Sequence, residues 1–184
     1  MLRRQRSTRC KKGQIWISAA LYTALGLILI TLILSVGMPF VNKIKDRNTI
    51  LQTKNILFEV DKLVREVDLE GVGSRRPFFV DIGEGDFLIK NEGAEEKIIW
   101  TLISKEKLGI ESGNSVGELG PLIEEGSLKI QSKKVGQGFE ISLWLDYKDI
   151  IDIESNLKQL SGQYNLIIEH RQTGGNDYVE IREG

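Results

Sequence analysis

The 184-residue sequence has very little of the residue types that build metal and disulfide sites, namely one cysteine, Cys10, and one histidine, His170. A single cysteine cannot form an intramolecular disulfide, and zinc sites use several cysteine or histidine ligands. The sequence also has no Gly-x-x-x-x-Gly-Lys-Ser/Thr phosphate loop, and no motif links a serine nucleophile to His170. We therefore expect no enzyme and no cofactor, and we interpret His170 as an ordinary strand residue.

One acidic segment is the only candidate for a metal site. Oxygen ligands for Ca²⁺ would come from Asp146, Asp149, Asp152 and Glu154. The spacing of these acids matches no calcium loop, and isoleucines lie between them. We therefore predict a solvated strand end and no bound metal, and we interpret the pair Arg75-Arg76 as a surface pair.

Charged residues are absent from residues 14–41 and unevenly distributed around them. The first thirteen residues carry six bases and no acid, whereas the whole chain has a net charge of −1. The acidic excess therefore falls in the C-terminal part. This distribution excludes a globally basic nucleic-acid binder.

The uncharged run of 28 residues predicts a membrane-spanning helix. A helix of that length reaches roughly 40 Å, more than the hydrocarbon core of about 30 Å. The run is also longer than the core of a cleavable secretory signal, about 7–15 residues. The basic residues before it predict a single-pass protein with a cytoplasmic N-terminus and an extracellular C-terminal part. Cys10 precedes the run and is therefore not placed as a lipoprotein acylation site.

The junction Lys11-Lys12-Gly13-Gln14 stands at the start of this run. It resembles the class III signal peptide of archaeal type IV pilins and archaellins. The resemblance implies cleavage between Gly13 and Gln14 by a prepilin-type peptidase at the cell membrane. A small glycine gives a protease access to the backbone, and the two lysines hold the site at the membrane surface.

The resemblance implies that the mature protein keeps its hydrophobic helix and assembles through it with copies of itself or other pilins. It covers residues 9 to about 40 by motif and the remainder by general architecture. Family members commonly have Ser and Glu at the third and fifth mature positions, where this chain has Trp16 and Ser18. That glutamate is associated with the register between subunits, so its absence is compatible with a minor or priming subunit, or with a pilin-like protein that never polymerises.

Two other interpretations remain open from the sequence. The basic flank also fits an uncleaved signal anchor that carries a monomeric, extracellular binding or adhesion module. An anchored enzyme is the third, although no catalytic constellation supports it.

Beyond the span, the pattern predicts a second helical segment over residues 42–70. Its apolar residues recur at helical spacing, with charged residues between them: Ile50, Leu57, Val60, Val64 and Val67. We expect this stripe to pack on the head domain, with a short coiled-coil stalk as the alternative. Gly37 and Pro39 predict a kink or break near the outer end of the span.

Residues 71–184 have the composition of a β domain, since only three of the nineteen glycines lie in the first 70 residues. We predict strands over residues 77–82, 86–91, 97–104, 127–135, 138–147, 163–171 and 177–182. Three turns are predicted to close hairpins, at residues 83–85, 136–138 and 174–177. The stretch 108–126 is predicted to be an exposed loop.

The complete chain is therefore predicted to be α+β, with four segments: a basic leader over 1–13, a transmembrane or filament-core helix over 14–41, an amphipathic helix over 42–70 and an extracellular head over 71–184. About seven short, mainly antiparallel strands favour a β-sandwich of the Ig-like kind. Tyr164 follows a glycine turn, and this placement resembles the tyrosine corner of such sandwiches. We interpret it as a structural residue.

Overall fold

The computed structural model describes residues 11–92, 95–148, 150–157 and 159–184 of the chain. Its first element is a 60-residue helix, α1 (Lys11–Glu70). The chain divides into two packing units, one ending at Asn42 and the other comprising Lys43–Gly184. The second unit contains the end of α1 and all of the strands.

The amphipathic stripe of α1 packs into the core of the second unit. All five predicted residues are buried, and the most exposed of them, Ile50, has 7% of its surface exposed. They belong to one hydrophobic cluster with strand residues such as Trp100 and Leu143. The predicted stripe is therefore confirmed, and it covers the protein's own sheet and does not form a separate stalk. Because the helix fills this core, the unit that packs together begins near Lys43 and not at residue 71.

Nine strands form one mixed, mostly antiparallel sheet. They are β1 (Arg75–Glu92), β2 (Glu95–Ser104), β3 (Ser112–Val116), β4 (Ile123–Glu125), β5 (Leu128–Val135), β6 (Gly138–Asp146), β7 (Ile153–Ser155), β8 (Leu160–Thr173) and β9 (Asn176–Glu183). Their order is β3-β5-β6-β2-β1-β8-β9-β7, with β4 paired to β5. Only β3 with β5 and β7 with β9 are parallel.

The observed fold is α+β, but the Ig-like sandwich is not confirmed. All nine strands belong to a single hydrogen-bonded sheet, whereas a sandwich has two. The cause is β1, whose first half pairs with β8 and whose second half pairs with β2. One long strand thereby joins what would otherwise be separate sheets.

Two of the three predicted turns close hairpins. Val135 pairs with Gly138 across the β5–β6 turn, and Thr173 pairs with Asn176 across the β8–β9 turn. The third prediction is wrong, because residues 83–85 lie inside β1. The two runs that flank them pair with different strands and not with each other.

The predicted exposed loop over 108–126 contains two short strands, β3 and β4. Both pair with β5, at one side of the sheet. Another strand that the sequence did not predict, β7, lies in the acidic segment, where Ile151 and Ile153 are buried. Strands of three to five residues carry too few alternations to be recognised by pattern.

The irregularity in β1 depends on Gly85 and Trp100. The Trp100 side chain is fully buried, and its indole Nε1 donates a hydrogen bond to the Glu84 carbonyl oxygen at 3.0 Å. Gly85 has a φ of +88°, and a Cβ there would lie 2.6 Å from the Thr101 carbonyl oxygen and 2.7 Å from Trp100 Nε1. Only glycine satisfies both the backbone conformation and this close approach.

Gly85→Ala should lower the free energy of unfolding by about 2 kcal/mol or more, since it adds both backbone strain and overlap with a buried ring. Gly83→Ala is the matched control, because it has no positive φ and nothing lies within 4 Å of its added Cβ. Urea denaturation of the detergent-solubilised protein, followed by tryptophan fluorescence, measures both. Equal midpoints for the two variants would contradict the prediction.

Candidate membrane anchor

The first part of α1 has the properties of a membrane span. The helical stretch Trp16–Glu70 contains an 18-residue window with a mean hydropathy of 2.4, none of which is buried in the chain. Large side chains are exposed throughout, among them Leu25, Ile30 and Leu34. A soluble surface rarely presents such a continuous apolar face. By length and composition, this helix is therefore a candidate single-pass anchor.

Hydroxyl groups inside the apolar run bond to the helix itself. Thr23 donates to the Ala19 carbonyl oxygen, Thr31 to that of Ile28, and Ser35 to that of Leu32, each at 2.8 Å. Polar groups in hydrocarbon need a partner, and these bonds supply one within the same helix. The run can therefore enter a lipid core without leaving these three donors unpaired.

The residues of the predicted processing site all lie at the start of α1. Lys11, Lys12, Gly13 and Gln14 belong to its first turn. The rest of the basic leader and Cys10 lie outside the described residues. Gly13 is followed directly by the apolar run, so the site and the candidate anchor are contiguous in one helix.

Pro39 does not end the helix. The backbone remains helical through Gly37 and Pro39, so the predicted break is absent and a kink at Pro39 stays a prediction. A proline within a helix removes one backbone donor. Transmembrane helices tolerate this more readily than soluble ones.

A buried polar cluster fastens the second part of α1 to the sheet. The Asp61 carboxylate accepts hydrogen bonds from Arg65 Nε at 3.1 Å and from Ser127 Oγ at 2.7 Å. The Tyr147 side chain is fully buried beside it. Burial, followed by the Asp61 charge, raises the pKa of the Tyr147 hydroxyl, which therefore stays protonated. A protonated, enclosed phenol next to a paired carboxylate gives no nucleophile, so the cluster is structural.

Tyr147→Phe should leave stability unchanged or raise it slightly. The buried Tyr147 hydroxyl makes no hydrogen bond of good geometry to a described residue, although Asp61 lies beside it, so its removal relieves a poorly paired polar group. Tyr164→Phe is the comparison, since that ring is only half-buried. The urea midpoint measures both variants, and a loss of about 1 kcal/mol or more at Tyr147 would reveal a hydrogen bond that this arrangement lacks.

Tyr164 lies in β8 opposite Val80 and packs against the edge of the core. Its hydroxyl makes no hydrogen bond to any residue in the described ranges. The tyrosine corner therefore stays a prediction. His170 is buried in the same strand, with its Nδ1 3.3 Å from the Val67 carbonyl oxygen near the end of α1.

Four charged residues of β8 and β9 form an alternating network on one face of the sheet. Arg171 and Arg182 each pair with both Glu169 and Glu180, at distances from 3.1 to 3.4 Å. The hydrogen bond from Arg182 lowers the pKa of the Glu169 carboxyl, and Arg171 adds to this effect. The network joins neighbouring strands and leaves no formal charge in excess.

The contribution of Glu169 to stability should disappear in acid. A carboxyl with a lowered pKa in the folded state stabilises that state above its unfolded value, near 4.5, and this contribution is lost as the pH falls through the folded pKa. Glu169→Gln should thus lower the urea midpoint at neutral pH, and the difference from the parent should vanish in acid. Glu183→Gln, at the exposed end of β9, is the control; a difference at Glu169 that is independent of pH would contradict the prediction.

The acidic segment is not assembled as a metal site in the described residues. Asp146 Oδ2 pairs with Lys129 Nζ at 3.1 Å, and the Asp152 carbonyl oxygen accepts a backbone hydrogen bond from Val179. Asp149 lies outside the described part. Among the residues that are described, no group of three or more His, Cys, Asp or Glu side chains could hold a metal ion. Arg76 pairs with Glu70, whereas Arg75 is exposed.

A small apolar recess lies between the helix and the sheet of the second unit. Its volume is about 150 Å³, and Ile50, Leu108, Ile123 and Ile130 are among the residues that line it. Small-molecule pockets usually measure roughly 300–1,000 Å³. The recess is therefore too small to suggest a ligand site.

Sequence reasoning missed the polar contacts that hold α1 on the sheet. Asp61 and Ser127 are 66 residues apart, and Asp46 and Ser104, which also share a hydrogen bond, are 58 apart. No short motif marks such pairs. A scan against protein-family models found no match, and neither a search of curated proteins nor a search of solved structures found one.

Proposed function

We propose that this chain is a type IV pilin-like structural subunit of an archaeal cell-surface filament. A prepilin-type peptidase cuts it between Gly13 and Gln14. The mature protein is stored in the cell membrane as a single-pass protein with its head outside. It then assembles through its N-terminal hydrophobic helix with copies of itself or with other pilins.

One observation carries the proposal. A single helix, α1, contains an apolar stretch of which an 18-residue window is not buried in the chain, and its C-terminal part is built into the core of a β domain. The motif Lys11-Lys12-Gly13-Gln14 stands at the beginning of that helix. This combination supports a subunit whose helix lies in lipid before assembly and packs against the helices of other subunits afterwards.

Apolar burial would hold an assembled filament together. Each large apolar side chain moved out of water contributes roughly 1.5–3 kcal/mol. The exposed part of α1 carries more than a dozen such side chains. Their combined burial is ample to hold subunits together once the helix leaves the lipid.

The alternative is a membrane-anchored extracellular binding or adhesion module that does not polymerise. Ser18 favours it, because this position lacks the acid that in the pilin family pairs with the mature N-terminus of a neighbour. Cells that contain the assembly machinery distinguish the two. Recovery of the protein in sheared surface filaments supports the subunit, whereas recovery only as a membrane-bound monomer replaces it with the anchored module.

A further inference from the structure

The apolar recess between α1 and the sheet of the second unit opens to solvent. Six of its nine lining residues are leucine or isoleucine, and two of these, Leu51 and Ile123, remain 50% and 36% exposed. An apolar cavity of about 150 Å³, which is the volume of this recess, accepts a benzene-sized group. The recess is therefore large enough for one aliphatic side chain, although it is too small for a typical small molecule.

The charged residues that line the recess leave one base without a partner. They are Arg47, Lys54 and Glu125, of which Lys54 and Glu125 form an ion pair with each other. Arg47 is exposed and makes no ion pair with any residue in the described ranges. The neighbouring acid Glu124 belongs to the other face of β4, because successive strand residues alternate between faces, and residues 105–111 beside the recess contain two lysines and two glutamates. The lining thus combines aliphatic walls with one free arginine.

A single isoleucine projects from the turn that follows β6. Ile150 is 62% exposed, whereas Ile151 and Ile153 are buried. The backbone N–H groups of Ile150 and Ile151 both donate to the Tyr147 carbonyl oxygen, at 2.9 and 3.1 Å. These bonds and the two buried side chains hold Ile150 at a defined position, so that little order is lost when a partner buries it.

The charged residues beside Ile150 include more acids than bases in the described part of the turn. Asp152 and Glu154 are exposed and make no ion pair with a residue that the structure describes, and Lys148 is the one exposed base there. An isoleucine near an unpaired carboxylate is complementary to an apolar recess with an unpaired arginine. The same chain therefore carries both halves of one contact.

The recess and Ile150 lie at different levels along α1 and do not meet within one copy. Ile150 follows Tyr147, whose buried side chain lies beside Asp61, whereas Leu51 lines the recess ten residues earlier in the same helix. Ten residues of helix span about 15 Å. A contact between two different surfaces of identical copies is heterologous, and its repetition builds a ring or a helical filament.

We propose that Ile150 of one copy inserts into the recess of a second copy, and that its neighbour Asp152 pairs with Arg47 of that second copy. The contact joins the second unit of one subunit to the second unit of the next. This inference rests on the proposed assembly of the chain with copies of itself, and it adds a contact between the folded parts to the packing of the hydrophobic helices.

Cysteine cross-linking of sheared surface filaments tests the contact with the full-length chain. Asn48→Cys and Lys148→Cys, combined in a Cys10→Ser background, place one thiol beside the recess and one beside Ile150. Both positions are exposed, and position 48 lies one helical turn before Leu51 on the same side of α1. A short bis-maleimide should convert this variant into a ladder of covalent dimers, trimers and longer products, because each copy contacts one neighbour through each surface.

The combination of Asn48→Cys with Asn165→Cys, also in the Cys10→Ser background, is the matched control. Asn165 is an exposed asparagine of β8 outside both surfaces, so this variant should give no ladder. Filaments in which the first variant gives no ladder, or in which both variants give equal ladders, overturn the inference alone. Chain recovered only as a membrane-bound monomer overturns the proposed function and the inference together.

Reversed charges test the pairing of Arg47 with Asp152. In the cross-linking background, Arg47→Glu or Asp152→Arg alone should lower the yield of the ladder at least about fivefold, since each places like charges against each other. The two changes together restore opposite charges and should return the yield to within about twofold of the parent. Glu183→Arg, at the exposed end of β9, is the control and should have no effect. A double variant that is no better than the single ones would overturn this pairing.

The apolar half of the contact is tested at Ile150 itself. Ile150→Ser should lower the yield of the ladder at least about fivefold, because it removes most of the apolar surface that the recess buries. Ile150→Leu keeps that surface and should keep the ladder. A ladder from Ile150→Ser as strong as the parent's would overturn the insertion of this side chain.

Discussion

Protein isolated from its native membrane should begin at Gln14, so that its intact mass lacks residues 1–13. In the proposed cleavage site, the two lysines before Gly13 would hold the Gly13–Gln14 bond at the membrane face, and glycine would leave its backbone open to a protease. Gly13→Leu should abolish the loss, because a branched side chain then occupies the cleavage position. Mass spectrometry of the purified protein gives the result directly.

Gly26→Leu is the matched control for this experiment. Gly26 lies in the same helix, within the apolar run, and nothing lies within 4 Å of an added Cβ there. This variant should be processed normally and keep its anchor. Parent protein that retains Met1 to Gly13 in cells with the peptidase would contradict the prediction and favour an uncleaved signal anchor.

The helical part of the fold could be predicted because its signals are local. The uncharged run and the stripe from Ile50 to Val67 both follow the helical period, and the structure buries each residue of that stripe. Most of the longer strands were also predicted within a few residues. Each of these segments carries enough alternation to define its own conformation.

The arrangement of the sheet could not be predicted because it depends on distant partners. Residues 83–85 have the composition of a hairpin turn. The run before them pairs with β8, far along the chain, and the run after them pairs with β2, the next strand. Whether the strands form one sheet or two depends on which strands the two halves of β1 pair with. A local pattern contains no information about which strand is the neighbour.

The residues of the candidate site also include some that could be predicted from local sequence and some that could not. The candidate anchor and the motif from Lys11 to Gln14 are contiguous in sequence and were predicted together. The contacts that attach α1 to the sheet, Asp61 with Ser127 and Asp46 with Ser104, join residues whose proximity arises only on folding. These polar contacts are specific to the folded core, and neither partner stands in a motif.

Leu27→Lys/Leu29→Lys should remove the protein from both membranes and filaments. Each lysine near the centre of a membrane span costs about 2.5–3.5 kcal/mol by insertion scales, and in a filament core the same charges would be buried without partners. Leu69→Lys/Val72→Lys is the matched control, because these exposed residues lie at the far end of α1 and just beyond it, outside the apolar run. The measurement is the amount of protein in sheared filaments and in membranes.

The Ser18→Glu variant distinguishes the two proposed uses of the first part of α1, membrane anchoring and filament assembly. In the pilin family the acid at the fifth mature position pairs with the N-terminus of a neighbouring subunit, and here that position carries Ser18, which is exposed. We expect the variant to stay in the membrane and to enter filaments in greater amount than the parent, since the new charge supplies the missing register contact. A Ser18→Gln variant keeps the size without the charge and should give no gain. The opposite outcome is that the Ser18→Glu protein is lost from filaments while its amount in the membrane is unchanged. That result would show that the helices pack in a register in which this position has no cationic partner.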